Sequence, residues 1–391
     1  MTETGTAALA SAGGAQQTPR VTFRGVGEES LAAKLKDRVN AHFHDRGRSD
    51  KANSVMVLRT VVMFAITFGT YALILTRWFS PLAMLGMAVL VGIGMAGLGF
   101  GIAHDAAHGA YSSRPTLNRV LAYTFDLCGA SSYMWAMGHN VVHHTYTNIP
   151  GVDGDLISSG LLRQSPGRDA RWYHRFQQFY AFPLYSLATL NWAFLKDYQD
   201  LSHHNFGPYR NHVHRKGVVV TMFGFKAIHY AWTLFIPLFI LGIPWWQVLI
   251  GYLAMHLTAG LILGTVFPLA HVVEGPTFPV PPANGAMNDA WIAHELSTTA
   301  NFAHKNRLLT WYIGSLNYQI EHHLFTRVCS VHFPDLSGIV RDIARSHGLP
   351  YHYNSTFFAA VRSHYRMLKR FGRPQGEDRT ESSAGLSAAT V

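Results

Sequence analysis

Four long apolar stretches alternate with polar segments along the chain. They cover residues 55–79, 82–103, 222–241 and 245–269. A helix needs roughly 20 residues to cross a bilayer, and each stretch meets that length. Short turns containing Arg77 and Pro81, or Gly242 and Pro244, join the members of each pair. The pattern predicts an all-α integral membrane protein with four transmembrane helices.

The polar segments define the remaining domain boundaries. Residues 1–54 begin with a tail rich in Ala, Gly, Thr and Ser, which we expect to be disordered. An amphipathic helix follows, with apolar residues at every fourth position: Leu31, Leu35, Val39 and Phe43. We expect it to lie on the membrane surface, at the interface. Residues 55–370 form the predicted membrane domain, and residues 371–391 form a second tail expected to be disordered.

Composition and charge support a membrane protein. Only 14% of the residues are charged and 48% are apolar, unlike a typical soluble domain. The formal charge of +10 is spread along the edges of the apolar stretches, which argues against a nucleic-acid-binding patch. The positive-inside rule places residues 1–54, 104–221 and 271–391, and therefore both termini, in the cytoplasm. Two cysteines are too few for a disulfide framework.

Histidines are abundant, with 23 in the chain, and three clusters have the spacing of metal ligands. The clusters are His104 with His108, then His139 with His143 and His144, and finally Gln319 with His322 and His323. If each segment is helical, residues three or four positions apart lie on one face. Neutral imidazole is the commonest metal ligand in proteins, so each cluster could contribute to a metal site.

All three clusters lie on one side of the membrane if the chain crosses it four times. A fifth crossing at residues 176–195 would move the third cluster to the other side, so we predict that this segment lies at the interface. His271 follows the last apolar stretch at the same depth and is an eighth candidate ligand. One first-row ion takes roughly four to six ligands, so the number of histidines indicates two metal ions.

Acidic residues near the clusters are candidates for hydrogen bonds to the ligand rings. They are Asp105, Asp153, Asp155 and Glu321. Each could accept a hydrogen bond from an imidazole N–H or could be a solvated acid. His294 and Glu295 begin a sequence like a zinc-protease motif, but Thr298 stands at the position of the second histidine. This pair is therefore set aside.

Together the three clusters resemble the histidine boxes of membrane fatty acid desaturases. They occur in the family's order, at residues 104–108, 139–144 and 319–323. The resemblance extends over about residues 55–368, and Gln319 and the sequence around His271 are similar to the front-end and linoleoyl-CoA-like branch. Two features depart from that branch. Thr326 stands where relatives usually have proline, and the sequence lacks the His-Pro-Gly-Gly haem motif of a fused cytochrome b5 domain.

The resemblance implies a fold, an activity and partners. The three boxes would lie on a cytoplasmic helical cap above the four transmembrane helices. A di-iron centre of two Fe ions, held by the box histidines and His271 with Gln319 as a further candidate, would desaturate a fatty acyl chain. O2 would be the co-substrate. Electrons would come from a separate ferredoxin or cytochrome b5-type protein with its reductase.

Two alternatives remain open at the level of sequence. A fatty acyl hydroxylase or other oxygenase could use the same di-iron scaffold and would add oxygen instead of removing two hydrogens. A metal-binding membrane transporter would place histidines and acids within the spans, along a pathway. The clusters lie at the ends of the apolar stretches or outside them, which argues against transport.

Overall fold

The four apolar stretches form four long helices, here called spans 1 to 4. Their bounds are Ser54–Leu75, Pro81–Ala107, Lys216–Ile240 and Trp245–Ala270. Each is long and apolar enough to cross a membrane, as the sequence predicts. Span 1 ends at Leu75, short of residue 79, because Arg77 takes a left-handed backbone conformation (φ 63°) that does not continue a helix. Span 3 begins at Lys216, before the predicted start at residue 222.

The protein is described by a computed structural model covering residues 21–23, 28–156, 160–207 and 209–374. Within these residues, the helices outside the spans are Glu28–Asp45, Pro115–Leu127, Ser132–Ala136, Gln177–Ser186, Ala188–Asn191, Asp197–Ser202, Trp291–Thr298, Arg307–Tyr312, Gln319–Leu324, Phe333–Ser346 and Phe357–Phe371. Short π-helical segments are Ala65–Gly69, Gly99–Ala103, Met137–His143, Trp192–Lys196 and Ala231–Phe235. Of the tails predicted to be disordered, residues 1–20 and 375–391 lie outside the described residues. Residues 371–374 of the second tail are described, and Phe371 is the buried last residue of the helix Phe357–Phe371.

Spans 2 and 4 pack closely and run in the same direction. Ala88 lies beside Gly251, and Gly92 lies beside Met255 one turn further along both helices. A Cβ atom at Gly92 would be 2.3 Å from the carbonyl oxygen of Met255, so only glycine permits this approach. The parallel direction brings the carboxyl ends of the two spans to the same side of the bundle.

The amphipathic helix Glu28–Asp45 packs against the protein itself. Its apolar stripe consists of the buried residues Leu31, Leu35, Val39 and Phe43. This stripe faces the helices Trp291–Thr298 and Phe333–Ser346. The position on the membrane surface stays a prediction, but the apolar stripe that suggested it is covered by protein. An amphipathic pattern shows only that one face is apolar, and here neighbouring helices cover that face.

The segment predicted at the membrane interface, residues 176–195, is a series of short helices instead of a continuous span. It lies along span 4, where a Cβ atom at Gly260 would be 2.1 Å from the carbonyl oxygen of Ser186. Phe179 and Leu195 in this segment have side chains that are largely exposed in the protein alone. Broken helices with exposed apolar side chains fit an interfacial position better than a crossing.

Two small parallel sheets depart from the all-α prediction. Strand β1 (Thr22–Phe23) pairs with β2 (Ala286–Met287), and β3 (Ala300–Phe302) pairs with β4 (His352–Asn354). The second sheet positions the third histidine box, because Asn301 in β3 accepts a hydrogen bond from the backbone N–H of Ile320 at 2.9 Å. Strands this short carry no periodic signal that a sequence pattern could show.

Candidate metal centre

The first box lies where span 2 leaves the apolar core. A π-helical turn, Gly99–Ala103, leads into His104, and His108 ends the helix before Gly109 turns the chain with φ of 71°. Gly314 presses the segment before the third box against this end of span 2. A Cβ atom at Gly314, whose φ is 65°, would be 2.6 Å from the Cα of Gly101. Two glycines therefore allow the first and third boxes to approach each other.

The second box is π-helical, where the sequence analysis assumed an α-helix. In the segment Met137–His143 the backbone N–H of His144 donates to the carbonyl of His139, five residues earlier, at 3.1 Å. Residues five apart would be rotated by about 140° in an α-helix. The wider turn aligns them instead, and the Nε2 atoms of His139 and His144 lie 3.2 Å apart. Single π turns are frequent at functional sites.

Tertiary packing sorts the histidines into two groups, and a third set of possible ligands, His139, His143 and Asp155, links the two. In each group the potential ligand atoms all lie within 4.8 Å of one another. The first group is His104, His108, His139 and His322, and the second group is His143, His271 and His323. His144 lies between them, with ring centroids 4.5 Å from His322 and 4.4 Å from His323. All eight histidines named from the sequence therefore meet at the carboxyl ends of spans 2 and 4.

The other candidate ligand, Gln319, is buried in the first turn of the helix Gln319–Leu324. It lies three residues before His322 and four before His323, so all three project from one side of the helix. Gln319 therefore shares a helix face with one member of each group, His322 and His323.

Seven box and span-end histidines each have a buried ring nitrogen that has no hydrogen-bond partner among the described residues. These atoms are Nδ1 of His104 and His144, and Nε2 of His108, His143, His271, His322 and His323. A buried polar atom without a partner costs roughly 1–3 kcal/mol. A metal ion in each group would satisfy these nitrogens, and imidazole nitrogen suits iron and other first-row metals. The residues present therefore fit the metal centre that the sequence predicts.

Hydrogen bonds to three carboxylates and one backbone carbonyl fix the orientation of four histidine rings. The Nδ1–H groups of His139, His143 and His323 donate to Asp155 at 2.9 Å, Asp153 at 2.9 Å and Glu295 at 2.7 Å, and that of His271 donates to the carbonyl of Thr298 at 3.3 Å. A histidine that donates from Nδ1 has Nε2 free to bind a metal, and the carboxylate makes it a stronger ligand. Of the acids weighed from the sequence, Asp153 and Asp155 contact ligand rings in this way.

Glu295 is the residue that the sequence analysis missed. It is fully buried and also accepts a hydrogen bond from Thr147 Oγ1 at 2.9 Å. Its motif was set aside because Thr298 replaces a second histidine. The Glu295 carboxylate nevertheless accepts a hydrogen bond from His323, 28 residues away in the chain. In the helix Trp291–Thr298, Glu295 lies on the same side as Ile292 and Leu296. A glutamate on the apolar side of a helix is rarely buried without a partner, so this position could have identified Glu295 from the sequence.

Asp105 and Glu321 hold the boxes in place without a hydrogen bond to a ligand ring. Asp105 accepts from the backbone N–H and the hydroxyl of Ser330 at 2.9 and 2.8 Å, which ties the first box to the segment after the third. Glu321 accepts from Asn301 and from the Tyr351 hydroxyl at 2.8 and 2.9 Å. Both are buried, so the solvated alternative is wrong for them.

Burial keeps most of these imidazoles neutral. It lowers the pKa of His139, His322 and His323 well below the usual value, and neighbouring histidines lower it further. His143 differs, because the Asp153 carboxylate outweighs the effect of burial and raises its pKa to about 9. Neutral imidazole is the form that binds metal, so burial of these rings favours ligation at neutral pH.

Comparison with known proteins places this centre in context. The model of the fatty acid desaturase family matches residues 78–355, a range that includes all three boxes. The chain is 37% identical over 344 residues to the sn-1 linoleoyl-lipid 6-desaturase of Synechocystis sp., covering 87% of this chain and 94% of that protein. It is 34% identical over 361 residues to the sn-1 linoleoyl-lipid 6-desaturase of Arthrospira platensis, covering 90% and 95%. The acyl-lipid (8-3)-desaturase of Physcomitrium patens is 30% identical over 347 residues, covering 88% and 72%.

Proposed function

This chain belongs to the fatty acid desaturase family and is a fatty acyl desaturase, and we propose that it holds two iron ions and acts on acyl chains of membrane lipids. The observation that carries the proposal is the pair of histidine groups with unpartnered ring nitrogens. The relatives named linoleoyl-lipid and acyl-lipid desaturases support a lipid-linked substrate.

Iron fits the chemistry that the reaction requires. Methylene hydrogens are neither acidic nor polarised, so the redox centre, with O2 as co-substrate, supplies the oxidising power. The chain's own residues orient that centre: Asp153, Asp155 and Glu295 fix three rings through their Nδ1–H groups. The electrons would come from a separate ferredoxin or cytochrome b5-type protein.

The proposed topology is multi-pass, with the centre and both termini on the cytoplasmic side. Spans 2 and 4 run in the same direction, and each ends at the histidine groups. The long segments on that side carry most of the basic residues, whereas the two short turns at the other side contain only Arg77. The positive-inside rule supports this orientation.

Metal analysis combined with product analysis tests the proposal. We expect about two iron ions per chain in fully active purified protein. Fewer than about one would contradict the two-metal centre. Mass spectrometry of intact lipids after turnover should show loss of two hydrogens in an acyl chain that remains attached to its headgroup. A gain of oxygen would indicate the hydroxylase alternative, and modification of acyl-CoA alone would contradict the lipid-linked substrate.

A further inference from the structure

A second histidine-rich segment lies outside the metal centre and carries only positive charge. Residues 203–216 contain four histidines and the exposed cations Arg210, Arg215 and Lys216. The sequence has no Asp or Glu from residue 201 to residue 273. Within the described residues, these three cations have no ion pair. We call residues 203–216 the basic loop; Pro208 within it lies outside the described residues.

The basic loop has a defined backbone shape. Phe206 and Tyr209 exchange backbone hydrogen bonds at 3.0 and 2.9 Å, and the N–H of His212 donates to the carbonyl of His204 at 2.8 Å. These bonds join the two sides of the basic loop. The Phe206 side chain is buried in an apolar cluster and anchors the loop to the protein. The cations therefore project from an ordered surface and not from a free strand.

The basic loop rests on the helix of the second box. The Tyr133 hydroxyl lies 2.9 Å from Nε2 of His212 and 3.0 Å from Nδ1 of His214. A Cβ atom at Gly207 would be 2.8 Å from Cγ1 of Val142, the residue before His143. An α-helix with its side chains is about 10 Å across. The part of the basic loop at Gly207 thus lies about one helix diameter from the histidine groups.

The position also places the loop next to the membrane. Lys216 is the first residue of span 3. Tyr209 and Val213 in the loop have exposed side chains, 43% and 80% accessible. Tyrosine is enriched at membrane–water interfaces, and cations beside a transmembrane helix attract anionic lipid headgroups. An acidic protein would meet the same charge, but the start of a span and the exposed apolar side chains favour a lipid.

We propose that the basic loop binds the anionic headgroup of a membrane lipid and so positions an acyl-lipid substrate at the metal centre. Arg210, Arg215 and Lys216 would contact the phosphate or another acidic group. Since the loop is only one helix from the histidines, a headgroup held there brings the first carbons of the acyl chain to the metals. The role as a substrate site rests on the proposed function, whereas the headgroup binding itself does not.

Native mass spectrometry of the metal-loaded protein tests the proposal. Protein stripped of lipid in a neutral detergent would be offered equal amounts of phosphatidylglycerol and phosphatidylcholine with identical acyl chains. We expect the wild type to retain phosphatidylglycerol preferentially. Each cation near a membrane surface contributes roughly a fivefold preference. The triple variant Arg210→Gln/Arg215→Gln/Lys216→Gln should therefore lose at least tenfold of that preference.

The matched control removes three exposed cations from other parts of the surface: Lys36→Gln/Lys305→Gln/Lys369→Gln. It has the same net charge as the triple variant and should keep the wild-type preference. Equal retention of both lipids by the wild type, or equal loss in both variants, would overturn the proposal. So would binding of a soluble acidic carrier protein that depends on the three loop cations while the lipid preference does not.

Turnover is measured separately from lipid retention, so the two proposals can fail independently. If the loop selects the anionic lipid but product analysis shows no desaturated lipid, the lipid-linked substrate fails and the headgroup site stands. If lipid desaturation is intact but the loop variant has no altered lipid preference, the proposed function stands and the headgroup site fails.

Discussion

Two histidine-rich regions meet at the helix of the second box, and they differ in what surrounds the rings. In the proposed metal centre the rings of His143 and His323 are fully buried and donate to carboxylates. In the basic loop His203 and His204 are exposed, and the charged neighbours in the loop are arginine and lysine. A carboxylate behind a buried imidazole favours metal binding, whereas cations beside exposed imidazoles favour anions. The number of histidines alone does not distinguish the two chemistries.

The largest effect should come from removing the metal. Chelation would return the ring nitrogens of both groups to their unpartnered state. A ligand at a thousand times its Kd stabilises the folded state by about 4 kcal/mol, so we expect the apparent Tm to fall markedly and to recover with Fe²⁺. Thermal unfolding in detergent measures this. An unchanged Tm after complete removal of iron would show that the two groups are not a metal centre.

The next largest effect should appear when one histidine of each region is replaced by alanine and the two variants are compared. His143→Ala should abolish desaturation and reduce bound iron, because it removes a proposed ligand and takes away one of the hydrogen-bond donors to the buried Asp153 carboxylate. The protein should still insert into membranes. His204→Ala, in the exposed loop, should leave iron content and turnover near wild type. If desaturation survives in His143→Ala, that histidine is not a ligand.

A smaller effect compares two buried glutamates. Glu295→Gln weakens the hydrogen bond to His323 and should lower iron affinity about 10–100-fold. Glu321→Gln changes a carboxylate that accepts from Asn301 and Tyr351 and, among the described residues, from no histidine ring. It should therefore cost about 1–3 kcal/mol of stability with little change in iron affinity. Competition with a calibrated chelator measures both. If both variants lost the same iron affinity, the hydrogen bond between Glu295 and His323 would not explain the difference expected between the two glutamates.

The smallest effect concerns the contact between the two regions. Tyr133→Phe removes the hydroxyl that joins His212 and His214 to the second-box helix. We expect a loss of about 1 kcal/mol in stability and no change in iron per chain. Thermal unfolding and metal analysis of the same sample check this. A clear loss of iron would show that the basic loop supports the metal centre directly.

Local sequence patterns predicted where the long helices lie. They predicted less well where those helices end and what they pack against. The spans followed from uninterrupted apolar residues, which act independently of the rest of the chain. The end of span 1 did not follow, because the left-handed backbone at Arg77 belongs to a turn shared with span 2. The helix Glu28–Asp45 was recognised as amphipathic, but its pattern could not tell a bilayer from the helix Phe333–Ser346.

The candidate site shows the same division. The spacing of the boxes named seven of the eight histidines that the structure brings together, since helical periodicity acts over three or four residues. The eighth, His271, was named from its place at the end of the last apolar stretch. Glu295 escaped, because its partner His323 is 28 residues away and the link depends on how two helices pack. The π-helical turn that aligns His139 with His144 also has no sequence period of its own.

By itself, the sequence determined four membrane-capable helices, three histidine boxes in order and an excess of nitrogen ligands. These are properties of short stretches, and short-range geometry and burial fix them. Tertiary structure alone decided that His139 joins His104, His108 and His322 while His143 joins His271 and His323. It also decided which acids stand behind the rings and that a basic loop lies on the second box. Such pairings depend on the parallel packing of spans 2 and 4, which brings distant residues within a few ångströms of each other.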